Sequence, residues 1–331
     1  MNNSPIFLLG PHKSGTSLLR SLFDGNYGLF VVPIETHVFP LLNRWVTYPY
    51  RYQLPLKDED HDFRTACCKW IKYSNKNKDN KSDSLTINWF NEKIFSNTLK
   101  AELENAKNIK DYINGYYKAI YLSLGNEEKE YIKLRILEKS VENAEFAIEL
   151  SKIYPDAKFV HIIRNPYSNL VSLRKYKGEK EYPYIDLLIK TLNNSYLNLY
   201  RNEKIIDNYR IVKYEDLVSD VHGEMIKLAD FLGLSFKENL TIPTVNNKRW
   251  KGNSTSGKEF KGVSNKRLEK WKNQIYDNEI AAVNKYFPHI LDRFKYEKIK
   301  NPNKIISKNP QETLKKIVVN KIFLARKDFT L

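Results

Sequence analysis

The segment from Gly10 to Ser17, which reads GPHKSGTS, constrains the fold of this chain more than any other feature. It follows a short apolar run at Ile6–Leu9 and precedes leucines with helical spacing that begin at Leu18. An apolar run of this length between a proline and a glycine is typical of a buried parallel strand. The order of strand, glycine-bounded loop and helix N-terminus directs backbone N–H groups and the helix dipole to one point, which predicts an anion site.

The position of the lysine separates this loop from those that bind nucleoside triphosphates. A P-loop reads G-x-x-x-x-G-K-[ST], and its lysine follows the second glycine to reach the β- and γ-phosphates. Here Thr16 occupies that position and Lys13 lies three residues earlier, nearer the bridging atoms of a shorter phospho-anhydride. The alternative is a tight strand-to-helix turn with solvated side chains. We predict a phosphate site formed by Lys13, Ser14, Gly15, Thr16 and Ser17.

A second motif lies where another apolar run ends. The run at Lys158–Ile163 is followed by Arg164, and Ser172 comes eight residues later. A planar guanidinium can bind a phosphate monoester bidentately, and such a monoester carries nearly two negative charges. An Arg-Asn-Pro turn that merely ends a strand and starts a helix is the alternative. A P-loop kinase would carry a Mg²⁺-binding aspartate at such a strand end, so Arg164 argues against one.

These two motifs together resemble the sulfotransferases that use 3′-phosphoadenosine 5′-phosphosulfate (PAPS). In that family the 5′-phosphosulfate loop has a Lys-Ser-Gly-Thr-[Ser/Thr] form, and the 3′-phosphate site has an arginine at a strand end followed by a serine. The resemblance implies an α/β, P-loop-like three-layer fold with a central parallel sheet and a helical insertion. It also implies sulfonate transfer from PAPS to an acceptor hydroxyl, with no metal, and release of the 3′,5′-bisphosphate PAP.

The segment Glu35-Thr36-His37 resembles the Glu-Thr-Arg segment of the tyrosylprotein sulfotransferase branch and its bacterial relatives. In that branch the glutamate is the general base, which implies this role for Glu35, whereas His37 replaces the arginine. His37 is the alternative base, because histidine titrates nearest to neutral pH. Lys139, after the strand-like run 131–137, matches the branch's lysine that stabilises charge on the sulfonate. A surface cap for Glu35 and a solvated charge for Lys139 are the alternatives.

Two later segments extend the resemblance. Tyr214 belongs to a Tyr-Glu-Asp-Leu sequence like that of the family, which implies contact with the nucleotide, although an aromatic residue here can also be core packing. Lys261 and Gly262, ahead of Trp271, resemble the late loop that closes over the 3′-phosphate, but the family's Arg-Lys-Gly-x-x-Gly form is absent. Two residues are candidates for the counterpart of the branch's late active-site serine, Asn247 and Ser254.

The strand-like runs alternate with helical patterns, which predicts a parallel sheet with right-handed crossovers and ligand sites at the carboxyl ends of the strands. We expect one domain over residues 1–300, with a mostly helical cap at about 41–125 that holds part of the acceptor pocket. Residues 301–331 form a basic, amphipathic tail, expected to dock on the domain, with contact to an anionic bilayer as the alternative. The five predicted strands are 6–9, 29–32, 131–137, 158–163 and 210–214.

The charge balance suits an anionic ligand. The 331 residues include 55 Lys and Arg against 39 Asp and Glu, a formal net charge of +16. No helix-turn-helix, zinc-finger or RNP signature is present, so we expect no nucleic-acid partner. The two cysteines, Cys67 and Cys68, are sequence neighbours and offer no disulfide framework. Without a leader pattern or a long apolar stretch, a cytoplasmic bacterial enzyme is expected.

The function predicted from the sequence is sulfonate transfer from PAPS to a hydroxyl, with a carbohydrate favoured over a small molecule or a tyrosine. Two alternatives remain. One is a P-loop kinase or NTPase-like phosphotransferase, and the other is a non-catalytic module that binds a nucleotide or a glycan. The presence of Lys13, Glu35 and Lys139 together favours the enzyme.

Overall fold

The protein is described by a computed structural model that covers residues 4–42, 63–76, 90–178, 182–250, 252, 262–300 and 313–326. Five parallel strands form a central sheet in the order β2-β3-β1-β4-β5, so β1 lies between β3 and β4. This confirms the predicted α/β fold with a central parallel sheet. The strands are β1 Ile6–Leu9, β2 Leu29–Val31, β3 Arg135–Glu138, β4 Lys158–Ile163 and β5 Tyr209–Lys213.

The predicted strands agree with the sheet to different extents. β1 and β4 span the predicted residues, and β2 ends one residue early. The prediction that a strand begins at residue 131 is wrong, because Glu128–Tyr131 forms a helical turn and β3 begins at Arg135. The last strand is shifted by one residue, since Tyr214 already begins a helix.

Helices cover both faces of the sheet. The helices are α1 Thr16–Phe23, α2 Val38–Leu41, α3 Phe63–Lys76, α4 Glu92–Glu104, α5 Ile109–Ser123, α6 Glu128–Tyr131, α7 Asn143–Ile153, α8 Pro166–Lys177, α9 Ile185–Ile205, α10 Tyr214–Ser219, α11 Val221–Leu232, α12 Asp277–Tyr286, α13 Pro288–Arg293 and α14 Leu314–Ala325. Successive strand side chains point to opposite faces. Accordingly Phe7 and Leu9 belong to the core beneath α3–α5 and α7, whereas Ile6 and Leu8 pack with α1 and α11.

The described part of the predicted cap is helical. Helices α3, α4 and α5 contribute Cys67, Phe95 and Tyr116 to the same core as Phe7, so these helices are continuous with the domain. Burial raises the pKa of Tyr116 well above its ordinary value, as expected for a phenol inside a core. Most of the remaining cap, including Trp45 and Trp89, lies outside the described residues.

The helix near the C-terminus packs on the domain. Asn320 of α14 accepts a hydrogen bond from the backbone N–H of Ile185 at 3.0 Å, and the Tyr286 hydroxyl donates to the carbonyl oxygen of Phe323 at 3.2 Å. The Phe323 side chain is buried in the core formed by α8, α9 and α12. Within the described ranges, no helix is both long and apolar enough to cross a bilayer.

Candidate active site

The predicted phosphate loop joins β1 to α1 in the order that the sequence implies. A Cβ atom at Gly10 would lie 2.5 Å from the carbonyl oxygen of Ile162, so only glycine fits against β4. Lys13 adopts a positive φ of 65°, which turns the chain into the helix. The Ser14 hydroxyl is buried and has no hydrogen-bond partner among the described residues. A buried hydroxyl donor without a partner at a helix N-terminus is suited to bind an anion.

The two predicted phosphate motifs are in direct contact. Nη1 of Arg164 donates a hydrogen bond to the carbonyl oxygen of Lys13 at 3.0 Å. Nδ2 of Asn169, on α8, makes a second bond to the loop at the carbonyl oxygen of His12, 2.7 Å away. Nε of Arg164 is buried without a partner in the described structure, so the guanidinium keeps a donor for a ligand. Ser172, the other predicted 3′-phosphate residue, lies further along α8 and is half-buried.

Tyr214 lies over this junction. A Cβ atom at Gly15 would lie 2.5 Å from Cδ2 of Tyr214, so the phenol ring is packed against the loop. Cζ of Arg164 is 4.6 Å from the centroid of the same ring, a cation–π distance. Thr16 and Ser17, the first residues of α1, are both buried. The phosphate loop, Arg164 and Tyr214 therefore meet in one region.

Tyr176 is a residue of this region that the sequence analysis did not single out. Nζ of Lys13 lies 4.3 Å from the centroid of the Tyr176 ring, and the His12 ring stacks on it at 6.1 Å. Tyr176 lies four residues after Ser172 on α8, so the two residues share a helix face. The four-residue spacing from Ser172 is the one signal in the sequence that predicts the proximity of Tyr176 to Ser172.

The Glu35–His37 segment is held at the carboxyl end of β3 through Thr36. The Thr36 backbone N–H donates to Oγ of Ser140 at 2.9 Å, and its hydroxyl donates to Oε1 of Glu138 at 2.9 Å. The Tyr116 hydroxyl donates to the Thr36 carbonyl oxygen at 3.2 Å. Thr36 is thus anchored through its amide, carbonyl and side chain, which gives the residues on either side of it defined positions.

Glu35 and Lys139 form an ion pair between Oε1 and Nζ, with the Lys139 side chain buried. The Trp70 indole N–H donates to the Glu35 carbonyl oxygen at 2.9 Å. The side chains of Lys139 and Glu35 are 1% and 16% exposed, so neither is a fully solvated surface charge. Because β3 and β4 flank β1, Lys139, the phosphate loop and Arg164 follow the carboxyl ends of three adjacent strands.

His37 is held on the other side of the glutamate. Its Nδ1 atom is hydrogen bonded to the carboxylate of Glu142, which is fully buried, and its Nε2 atom lies 3.6 Å from Oε2 of Glu35. The Trp70 ring contacts the imidazole edge-on, with centroids 4.5 Å apart. Glu142 was missed by the sequence analysis. A carboxylate three residues after Lys139, before α7, is the only sequence signal for it.

Ligand atoms of Glu35, His37 and Glu142 lie within 4.8 Å of one another, a spacing that also suits a metal ion. Within the described ranges this is the one such group of histidine, cysteine and acidic residues. The Lys139 ammonium already lies against Glu35 in this group. A cation at Glu35 would therefore be added beside an existing positive charge.

Behind this group, Glu138 is a buried carboxylate with three side-chain donors. Ser140 Oγ lies 2.5 Å and Thr36 Oγ1 2.9 Å from its Oε1 atom, and Asn143 Nδ2 donates to Oε2. Burial raises the pKa of Glu138 to about 7, although the bonds from Ser140 and Thr36 act in the opposite direction. Glu138 connects β3 to the Glu35–His37 segment.

The structure describes only some of the residues predicted for the late loop and for the late active-site serine. Lys261 and Ser254 lie outside the described residues, and Gly262 is half-buried. Asn247 lies in the turn between two short strands, β6 Thr244–Val245 and β7 Lys248–Arg249. Its backbone N–H donates to Oδ2 of Asp24 at 2.9 Å. Asp24 follows the last residue of α1, so the structure places Asn247 at the opposite end of that helix from the phosphate loop.

Comparison with known proteins gives a family match. The model described as "Sulfotransferase family" matches residues 5–238. Omega-hydroxy-beta-dihydromenaquinone-9 sulfotransferases of Mycobacterium bovis and Mycobacterium tuberculosis are 33% identical over 98 residues, which cover 26% of this chain. The match spans only 25% of the length of these curated relatives.

Solved structures share the fold. The sulfotransferase domain from the curacin biosynthetic pathway aligns with a TM-score of 0.55 and 17% identity, over 89% of this chain and 98% of its own. The sulfotransferase domain from the Synechococcus PCC 7002 olefin synthase aligns with a TM-score of 0.52 and 19% identity, over 98% of this chain and 96% of its own. At these identities the likeness concerns the architecture.

Proposed function

Because the chain belongs to the sulfotransferase family, whose model matches residues 5–238, we propose that it transfers the sulfonate group of PAPS to an acceptor hydroxyl. The observation that carries this proposal is the arrangement at three adjacent strand ends. The phosphate loop follows β1, the Glu35–Lys139 ion pair lies beyond β3, and Arg164 follows β4. This arrangement at one edge of the sheet supports the assignment of a phosphate site next to a base.

The donor site is assigned to the phosphate loop, Arg164 and Tyr214. The buried Ser14 hydroxyl and Arg164 Nε have no partner among the described residues, which fits two anionic groups. Loop N–H groups and Lys13 would hold the 5′-phosphosulfate, whereas Arg164 and Ser172 would hold the 3′-phosphate. Tyr214 lies against both motifs. When bound, PAPS supplies a sulfonate activated as a phospho-anhydride.

Glu35 acts as the general base in this proposal. Lys139 holds its Oε1 atom, so Oε2 is the atom assigned to accept the proton of the acceptor hydroxyl. The new bond joins the acceptor oxygen to sulfur as the bond from sulfur to the 5′-phosphate oxygen breaks, and PAP leaves. Lys13 and Lys139 stabilise the charge on the leaving oxygen and the sulfonate oxygens.

Glu142 acts as a positioning residue. With Glu142 ionised, Nδ1 of His37 is the donor in their hydrogen bond, which sets the orientation of the ring. Nε2 is then directed toward Oε2 of Glu35, where the hydroxyl is expected to enter. We assign to the His37–Glu142 pair the position of the family's arginine, with a role in orienting the acceptor.

A carbohydrate hydroxyl is the acceptor proposed from the sequence. The names of the mycobacterial relatives specify a hydroxylated menaquinone, so a polyprenyl alcohol is the second candidate. The deciding experiment incubates the protein with PAPS carrying ³⁵S and a panel of glycans, prenyl alcohols, phenols and tyrosine peptides. Transfer of label to one class, lost in Glu35→Gln, is the expected result.

The same assay separates the rival functions. We expect turnover to persist in EDTA, because lysine ammonium groups provide the positive charge at the site. Phosphate transfer from ATP that stops in EDTA and returns with Mg²⁺ would indicate a kinase instead. Tight PAP binding with no labelled product from any acceptor class would favour a non-catalytic binding module.

A further inference from the structure

Helix α14 presents an apolar strip to solvent. Leu314, Val318 and Ile322 are 82%, 55% and 54% exposed, and their spacing of four residues places them on one face of the helix. The opposite face is the docked one, since Asn320 and Phe323 are buried against α9 and α12. The apolar strip is therefore separate from the contact that fastens α14 to the domain.

Cationic side chains border the strip on both sides. At about 100° per residue, the three apolar positions span about 80° of the helix circumference. Exposed Lys321 falls about 20° beyond one edge, and exposed Lys315 about 20° beyond the other. No acidic residue occurs between residues 314 and 326. An apolar strip with a cation on each side is a pattern of helices that lie in the surface of an anionic membrane.

We propose that α14 binds the surface of a bilayer that contains anionic lipids. Leu314, Val318 and Ile322 would enter the boundary between headgroups and acyl chains, and Lys315 and Lys321 would contact lipid phosphates. The net charge of +16 attracts the protein to such a surface. The bonds of Asn320 to Ile185 and of Tyr286 to Phe323 hold the helix with this strip outward.

A second copy of the chain is a less favourable occupant. A twofold interface places the same patch on both subunits. Lys315 and Lys321 of one copy would then meet cations of the other copy at the rim, without an acidic partner on this helix. An anionic bilayer provides the opposite charge on both sides of the strip.

The test is co-sedimentation of the full chain with vesicles of phosphatidylcholine alone or mixed with phosphatidylglycerol. We expect binding to the mixed vesicles, weak binding to phosphatidylcholine, and loss of binding as ionic strength rises. The triple variant Leu314→Ser/Val318→Ser/Ile322→Ser should lower the partition coefficient about tenfold or more, because the apolar area is removed. Lys315→Gln/Lys321→Gln should weaken binding to the anionic vesicles selectively.

The matched control replaces Ile132, Leu197 and Ile242 by serine. These residues are 58%, 53% and 55% exposed but lie outside α14, so their replacement should leave vesicle binding unchanged. Equal losses in both triple variants, or no loss in the α14 variant, would overturn the proposal. A dimer detected by sedimentation equilibrium and abolished by the α14 variant would assign the strip to a second copy. Thermal unfolding establishes that each variant is folded.

Discussion

The Nδ1 atom of His37 is hydrogen bonded to the carboxylate of Glu142, a side chain that is fully buried between β3 and α7. The second nitrogen of the same ring lies 3.6 Å from Glu35, whose other oxygen is paired with Lys139. The imidazole of His37 therefore lies between two carboxylates, of which Glu35 is also paired with Lys139. In the proposed mechanism Glu142 orients the imidazole, and Oε2 of Glu35 accepts the proton of the acceptor hydroxyl.

The first prediction concerns the base. Glu35→Gln keeps the shape of the side chain and removes its basicity, so we expect the transfer rate to fall by about 10²–10⁴-fold with nearly unchanged affinity for PAP. His37→Asn should be milder and should mainly raise the KM for the acceptor. Single-turnover kinetics with labelled PAPS measure both. An active Glu35→Gln enzyme alongside an inactive His37→Asn enzyme would move the base to His37.

The second prediction tests the positioning role of Glu142. Glu142→Ala removes the partner of His37 Nδ1, and we expect kcat/KM for the acceptor to fall about tenfold, as in His37→Asn. The double variant should be no worse than either single one, because both changes break the same interaction. PAP affinity should stay constant. Additive losses in the double variant would show that Glu142 acts independently of His37.

The control for this pair is Glu145→Ala, on the first turn of α7. Glu145 accepts a hydrogen bond from Asn194 at 2.7 Å rather than from the imidazole, so its removal should leave acceptor kinetics unchanged. Comparable unfolding temperatures for the two variants would separate a kinetic effect from a loss of folding.

The third prediction concerns Lys13. Lys13→Ala should lower the transfer rate by about 10²–10³-fold, the usual scale for the loss of one preorganised donor. Lys177→Ala is the control, because Nζ of Lys177 also lies near the Tyr176 ring, at 5.5 Å, but extends from α8 rather than from the loop. A Lys13→Ala enzyme with the wild-type rate would remove this residue from the mechanism.

The fourth prediction follows from the pKa of Glu138, which burial raises from 4.5 to about 7. The folded state holds this proton over a pH range in which the unfolded state has released it. The titration of Glu138 therefore lowers the free energy of unfolding progressively as pH rises from about 4.5 to about 7. Glu138→Gln removes this titration, so over that range its free energy of unfolding should rise relative to wild type by roughly 3 kcal/mol. Urea titrations at a series of pH values measure the free energy of unfolding of both proteins. Parallel curves of this free energy against pH would contradict the raised pKa of Glu138.

The parts of this site that could be predicted are those whose signal is local. The phosphate loop follows from a strand, two glycines and a lysine within eight residues, and Arg164 follows directly from a strand end. Glu142 and Trp70 could not be found in this way, because tertiary packing brings them to His37. The start of β3 was misjudged because periodicity cannot separate a short apolar run from a helical turn.

Asn247 shows the limit of matching by order along the chain. It follows the motifs at a plausible distance, yet the tight turn that it forms with Asn246 places it beside Asp24. Both residues of this turn have positive φ, as a two-residue hairpin connection requires. The same asparagine that suggests a polar active-site group is thus explained by the turn.

The central claim is that the site recognises a nucleotide with a 3′-phosphate, and isothermal calorimetry of adenosine 3′,5′-bisphosphate against AMP tests it most directly. We expect much tighter binding of the bisphosphate, and Arg164→Ala should erase most of that preference, since a charge-assisted contact contributes about 1.5–3 kcal/mol. Asn169→Ala, which breaks the other bond to the loop, should weaken both nucleotides alike. Equal affinity of the wild-type protein for the two nucleotides would contradict the assignment of PAPS as the donor.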